Sequence, residues 1–295
     1  MAKLAKRRSE NISGNFYVDS TCIDCDTCRW MASEIFTEVG EQSAVYQQPS
    51  NEIEQLKAMQ ALLSCPTASI GTVEKPKDIK VAQQSLPILI ADKVYHCGYH
   101  AENSYGAASY FIQRAEGNIL VDSPRYSPPL VKRLEAMGGI RYLYLTHRDD
   151  VADHQKFHDH FQCDRILHSD DITSDTKAVE IQLQGIDPIQ FSDDVLIIPV
   201  PGHSKGHTVL LYDQKFLFTG DHLAWSKYLN HLYAFRAYSW YSWKEQVRSM
   251  EKLANYSFEW VLPGHGRRFE GDRATMKQQM QICLNWMKNP VDTSH

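Results

Sequence analysis

The sequence has no run of apolar residues near the ~20 needed to cross a bilayer, which excludes a membrane-spanning helix. Its first residues carry Lys3, Lys6, Arg7 and Arg8, but no apolar core follows them, so a secretory signal is not expected. Positive charge is not in excess: 31 Lys and Arg stand against 36 Asp and Glu, a net charge of -5. A nucleic-acid partner, whose phosphates demand cations, is therefore not expected. Seven cysteines in 295 residues are too few for a disulfide scaffold. There is no internal repeat and no low-complexity tract, and the 43% hydrophobic content is enough to bury a core. These absences lead to the expectation of a cytoplasmic protein without a membrane partner.

What is present is unevenly spread. Four cysteines lie between Cys22 and Cys65, three of them within seven residues, whereas all 13 histidines lie at or after His96. Clustered cysteines in a reducing compartment point to metal or cluster ligation. Residues 15–72 hold eight acids and two bases, a local net of -6, and form an acidic segment. The expected organisation is a flexible basic lead over 1–14, a small cysteine-bearing domain over 15–72, a polar linker over 73–86 and a large domain over 87–295. Ile53, Leu56, Met59 or Gln60, and Leu63 predict a helix over about 50–63. From residue 86 onward, strands and helices alternate. Strands are expected to end at His147, at Pro201-Gly202-His203, at Gly220-Asp221 and at Pro263-Gly264-His265. Ser242-x-x-Glu245 is a capping box that opens a further helix. Side chains delivered at strand ends sit where a rigid sheet can build a site.

The run Cys22-Ile-Asp-Cys25-Asp-Thr-Cys28 supplies three thiolates from one loop, and Cys65-Pro66 supplies a fourth after a helix. A cubane cluster needs such a set, three ligands wrapping one side and a remote one closing the other. The alternatives are a structural zinc site or free thiols, although zinc ribbons usually use two Cys-x2-Cys pairs. Over about residues 15–72 the stretch resembles a single-cluster bacterial-type ferredoxin. That resemblance implies a [4Fe-4S] cluster on Cys22, Cys25, Cys28 and Cys65, with a redox partner protein at the acidic surface. Cys97, Cys163 and Cys283 are isolated and read as small buried hydrophobes.

The second set comprises His147-Arg-Asp149-Asp-Val-Ala-Asp153-His154, then His203, Asp221 and His265. These nitrogen and oxygen donors suit zinc, iron or manganese. Residues from about Pro87 onward resemble the metallo-β-lactamase fold, a four-layer αββα sandwich, here preceded by the small ferredoxin-like α+β domain. The resemblance implies His147 and His203 on one divalent ion, Asp153, His154 and His265 on a second, and Asp221 bridging. Zinc is the expected metal, with iron or manganese as alternatives. The chain departs from the family pattern H-x-H-x-D-H, because Asp149 stands where a second histidine belongs and two extra residues precede Asp153. Asp149 is then either a ligand or a neighbour of the ligands. His207 is read as bracing or lining the pocket. In the aromatic stretch 225–243, Tyr228, Arg236 and Trp240 are candidates for its wall.

The function expected is that of a metal-dependent hydrolase acting on a small-molecule ester, thioester or lactone-type carbonyl. A metal-bound hydroxide would be the nucleophile, with Asp149 and Asp221 placing it, and glyoxalase-II-like enzymes are the related class. One alternative is an iron-containing redox enzyme, a dioxygenase or electron-transfer oxidoreductase, using the same His/Asp site. The other is a ferredoxin-type electron carrier with a partner-binding domain. The sequence leaves the oligomeric state open.

Overall fold

The structure, a computed structural model, describes residues 2–289. Two compact units divide the chain: Met1–Leu143 with Ala152–Cys163, and Tyr144–Val151 with Asp164–His295. Among the described residues no helix is long and apolar enough to cross a membrane.

In the first unit, strand Phe16–Val18 pairs antiparallel with Ile70–Thr72, and Phe36–Glu38 forms a hairpin with Ser43–Val45. The helix expected over 50–63 spans Glu52–Ser64, and Asn51 caps it by accepting the Glu54 N–H. Its buried face is Ala58, Met59, Ala61 and Leu63, while Ile53 is 71% exposed. Of the expected stripe, Met59 and Leu63 are buried, Leu56 is half-buried and Ile53 is exposed, and Ala58 and Ala61 complete the buried face. A flexible lead is expected over residues 1–14, and of these the described residues 2–14 are held by buried polar groups. The Arg8 guanidinium donates to the Ser43 carbonyl at 2.6 Å. The Asn11 amide bonds both ways to Val18 and also accepts the Val45 N–H, joining the two small sheets. Composition alone reads such residues as solvated, because their partners lie up to 35 positions away.

The segment 73–86, expected as a linker, contains helix Ile79–Gln84, with Ala82 and Leu86 buried. The same unit continues into an antiparallel meander of Ile88–Ala91, Val94–His96, Tyr110–Ile112 and Ile119–Val121. The compact units are therefore drawn elsewhere than at the polar stretch, whose buried apolar residues tie it down.

The second unit is built on a six-stranded sheet in the order Ile189–Ser192, Val195–Pro199, Thr208–Tyr212, Phe216–Gly220, Trp260–Pro263, Phe269–Glu270. The first four strands are joined as antiparallel neighbours, whereas Phe216–Gly220 and Trp260–Pro263 run parallel. Parallel neighbours need a crossover, and the chain between these two contains helix Trp243–Leu253. Ser242 caps that helix by accepting the Glu245 N–H, as the capping box predicts. A core of Ile198, Val209, Leu217 and Val261 packs with Met250 of this helix and Met280 of helix Arg273–Lys288.

This topology gathers the site. Val195–Pro199, Phe216–Gly220 and Trp260–Pro263 point the same way, so their C-terminal ends share one edge. The residues following those ends are His203, Asp221 and His265.

Candidate metal centres

His147 reaches the same edge from its own segment, where Thr146 accepts the Thr208 N–H at 2.9 Å. The Thr146 hydroxyl lies 3.0 Å from His147 Nδ1 and so orients the ring. His147 Nε2, buried and without a hydrogen-bond partner, stands 3.8 Å from Asp149 Oδ2 and 3.9 Å from Asp221 Oδ2. His203 Nε2 is 3.2 Å from Asp149 Oδ2 and 3.9 Å from Asp221 Oδ2. Asp221 also accepts from His265 Nδ1 at 2.7 Å and from the His265 N–H at 3.2 Å. Two donor groups result, His147–Asp149–His203 and His147–Asp150–Asp221, each with its ligand atoms within 4.8 Å of one another.

The loops have little slack. A Cβ on Gly220 (φ +48°) would stand 2.5 Å from the Thr146 hydroxyl and 2.9 Å from His207 Nε2, so glycine is required there. At Gly264 a Cβ would meet Asp150 Oδ2 at 2.7 Å and Asp221 Oδ1 at 3.1 Å, which sets these two carboxylates against the same backbone.

Electrostatics prepare the donors. Burial holds the His147 imidazole well below its usual value, against the pull of Asp221, and keeps it neutral. Burial alone would raise Asp221, but the imidazoles of His265, His147 and His203 outweigh it and hold the carboxylate far below the usual range. The hydrogen bond from His203 lowers Asp149 in the same direction. A neutral His147 beside ionised Asp149 and Asp221 is the combination that ligates a divalent cation. The chemistry of the set, with a buried imidazole nitrogen left unbonded between two carboxylates, fits a metal.

The predicted residues divide as follows. His147, Asp149, His203 and Asp221 come together, with His265 bonded to Asp221. Asp153 and His154 fall in neither donor group and belong to the first unit. There the Asp153 carboxylate accepts the Tyr126 N–H and pairs with Lys156, while buried His154 starts helix His154–Phe161. Asp150 instead stands in the second donor group. His207 stacks on His147 at 4.9 Å and accepts the Asp221 N–H at 3.2 Å, so it braces two donors. Trp240 lies with its ring 6.4 Å from that of His203. Tyr228 stacks under Lys227, and Arg236 lies over Trp243.

Sequence reasoning missed three residues. Asp150 is hidden inside the His147–His154 run. Asp171 is buried and accepts from the Arg148 N–H, the Ser204 hydroxyl and the Gly206 N–H, tying the His147 loop to the His203 loop. His222 is fully buried beside Asp221, and burial pushes its imidazole down to about 3. Adjacency to Asp221 was the only signal for His222, and Asp171 offered none.

In the first unit, Cys22, Cys25, Cys28 and Cys65 line one cavity with Val18, Ile23 and Ile70. Asp24 and Asp26 both adopt the left-handed conformation (φ 61° and 60°), which acidic residues tolerate better than most, and this curls the loop inward. Buried Arg29 clamps it from within, bonding Asp24 and Asp26 at 2.6 Å each. The Ser43 N–H points at Cys22 Sγ (3.4 Å) and the Ser69 N–H at Cys65 Sγ (3.2 Å). Such N–H···S bonds tune the potential of iron–sulfur clusters. Burial pushes the Cys25 thiol up to about 11 and Cys28 well above its usual value. A strongly bound cation is what would deprotonate them, so the set fits a cluster. Cys97, Cys163 and Cys283 are buried and lie apart from this cavity.

Gly106, at φ +82°, packs on the cluster loop, and a Cβ there would stand 2.8 Å from Cys25 Cβ. Gly106→Ala is therefore expected to cost about 1–3 kcal/mol from backbone strain and to push on a ligand. Iron content and the thermal midpoint of the purified variant check this; wild-type values for both would refute it.

Residues 18–72 match the family described as the 4Fe-4S single cluster domain of Ferredoxin I. The larger part of the chain superposes on solved metallo-β-lactamases. An enzyme from Hirschia baltica gives a TM-score of 0.53 at 15% identity, covering 69% of this chain and 97% of that one. VMB-1 gives 0.51 at 19%, covering 67% and 95%, and DIM-1 metallo-β-lactamase gives 0.50 at 16%, covering 66% and 95%. No curated protein sequence matches the chain. The chain thus has the metallo-β-lactamase fold over most of its length, with a ferredoxin-type 4Fe-4S domain at its N-terminal end.

Proposed function

We propose that the protein is a metal-dependent hydrolase of ester-, thioester- or lactone-type carbonyls in small molecules. Its [4Fe-4S] cluster, on Cys22, Cys25, Cys28 and Cys65, transfers electrons or senses redox state. The observation that carries the hydrolase reading is the donor set centred on buried His147, with exposed Asp149 and buried His203 on one side and Asp150 and Asp221 on the other. A divalent metal bound there supplies Lewis acidity toward a carbonyl oxygen and lowers the pKa of a coordinated water. The chain's own residues do the positioning. His147, Asp149 and His203 would hold one ion, Asp150 and Asp221 on the other side of His147 would hold a second, and His265 bonds Asp221. His207 fixes the Asp221 backbone and the His147 ring, and Asp171 keeps the two histidine loops in register. Trp240, beside His203, offers an apolar wall to the substrate. The acidic ferredoxin-type domain is the docking site for a redox partner.

One observation favours a second reading. Three carboxylates, Asp149, Asp150 and Asp221, make the donor set hard, which suits iron or manganese and an iron-dependent oxidoreductase. Elemental analysis of anaerobically purified protein separates the two. About four iron and four sulfide with one or two zinc per chain supports the hydrolase. About five or six iron with four sulfide and no zinc supports the oxidoreductase. The zinc-loaded protein is then expected to hydrolyse at least one member of an ester, thioester and lactone panel. Inactivity across that panel would overturn the hydrolase reading.

A further inference from the structure

Two buried histidines of the first unit take no part in the His/Asp site. His96 ends strand Val94–His96, His100 follows four residues later, and both have 0% exposure. Their Nε2 atoms are 2.8 Å apart, so one is protonated and the other accepts. The far side of His100 decides which. His100 Nδ1 lies 2.6 Å from the Gly106 carbonyl oxygen, which can only accept, so Nδ1 carries a proton. Neutral His100 then presents an Nε2 lone pair, and His96 Nε2–H donates to it. The nitrogen of His96 without a proton is Nδ1, and a proton added there leaves both bonds standing.

The other end of this chain touches the cluster loop. The Thr27 hydroxyl is 3.1 Å from His100 Nδ1 and 3.4 Å from Cys25 Sγ. With Cys25 as a thiolate, the hydroxyl donates to sulfur and turns its lone pair to His100 Nδ1–H. A continuous path results: Cys25 Sγ, Thr27, His100, His96. Trp30 seals it, with its ring 5.0 Å from His96 and 6.0 Å from His100.

We infer that this path couples reduction of the cluster to uptake of a proton by the histidine pair. One electron from a low-potential one-electron donor takes the cluster from the 2+ to the 1+ state, and one proton from solvent binds His96 Nδ1. The net charge of the buried region is then unchanged. The physical reason is that an extra negative charge in a low-dielectric interior is stabilised by a positive one nearby. The inference rests on the cluster reading given above. The titratable and charged groups on the surrounding elements include Arg29 with Asp24 and Asp26, the ligand thiols, Tyr95, Glu102, Tyr105, Arg125, Tyr110, Cys97 and Tyr99. Burial pushes Cys97 and Tyr99 up to about 12, outside the range tested.

The test is a potentiometric titration of the holoprotein from pH 6 to 9, with dithionite as reductant and the reduced cluster followed by electron paramagnetic resonance. The midpoint potential is expected to fall with rising pH. The slope should approach a tenfold change in the redox ratio per pH unit, about 59 mV for one electron. In His96→Gln and His100→Gln, with iron and sulfide unchanged, the slope is expected to flatten. A pH-invariant wild-type potential overturns the inference, and so does a wild-type slope in either variant. If both variants fail to hold the cluster, Thr27→Val decides: a reduced slope supports the coupling and an unchanged one overturns it. Absence of iron and sulfide from the wild type would instead overturn the cluster reading itself.

Discussion

Asp221→Ala is expected to empty the His/Asp site of metal and to lower hydrolysis by about a thousandfold or more, several kcal/mol of lost transition-state stabilisation. Asp221 is the residue on which most of the site converges. Its carboxylate stands 3.9 Å from Nε2 of both His147 and His203 and bonds His265 at 2.7 Å. Removing it leaves three imidazoles facing one another without the charge that organises them. Asp221→Asn keeps the shape and removes the charge, and is expected to fall between wild type and alanine. The measurements are metal content by mass spectrometry and kcat/KM on the best substrate of the panel. The iron–sulfur absorption should remain at wild-type intensity, because its thiol ligands are a separate set. Full metal content and activity in Asp221→Ala would remove this site from the mechanism.

Cys28→Ala is expected to abolish the broad visible absorption and to remove about four iron and four sulfide per chain. Cys28 is buried in helix Thr27–Met31, 3.2 Å from the Ser43 hydroxyl, with its backbone fixed by the turn that follows Cys25. No other cysteine lines the cavity to replace it. Cluster binding and local folding are linked, so the loop 22–28 would be left to the Arg29 clamp, and the thermal midpoint should fall as well. Cys97→Ala is the control. That thiol is buried away from the cavity, and its loss should cost packing without touching iron content. A brown Cys28→Ala protein with its full iron would refute the ligand assignment.

Much of this was legible without coordinates because it is local. The cysteine triplet with a remote Cys-Pro, the capping box at Ser242 and the strands that stop at Gly220-Asp221 and Pro263-Gly264-His265 are properties of a few consecutive residues. Their chemistry follows from residue type and spacing. The order of strands then brings His203, Asp221 and His265 to one edge, a result any alternating pattern with one parallel crossover makes reachable. Burial by distant partners was not legible. Arg8 and Asn11 look like a solvated lead until their partners at Val18, Ser43 and Val45 are known.

The sequence by itself therefore determined which chemistries the chain holds, thiolates at the front and imidazoles with carboxylates behind, and roughly where each is delivered. Only the tertiary structure decided which carboxylates join His147. Asp149 and Asp150 each enter a donor group from the loop that follows His147, whereas Asp153 bonds Tyr126 and Lys156 instead. The same holds for His96, His100 and Thr27, separated by up to 73 positions and joined through hydrogen bonds no pattern along the chain announces. Long-range hydrogen bonds in a buried region are set by packing, and packing is decided by the whole fold.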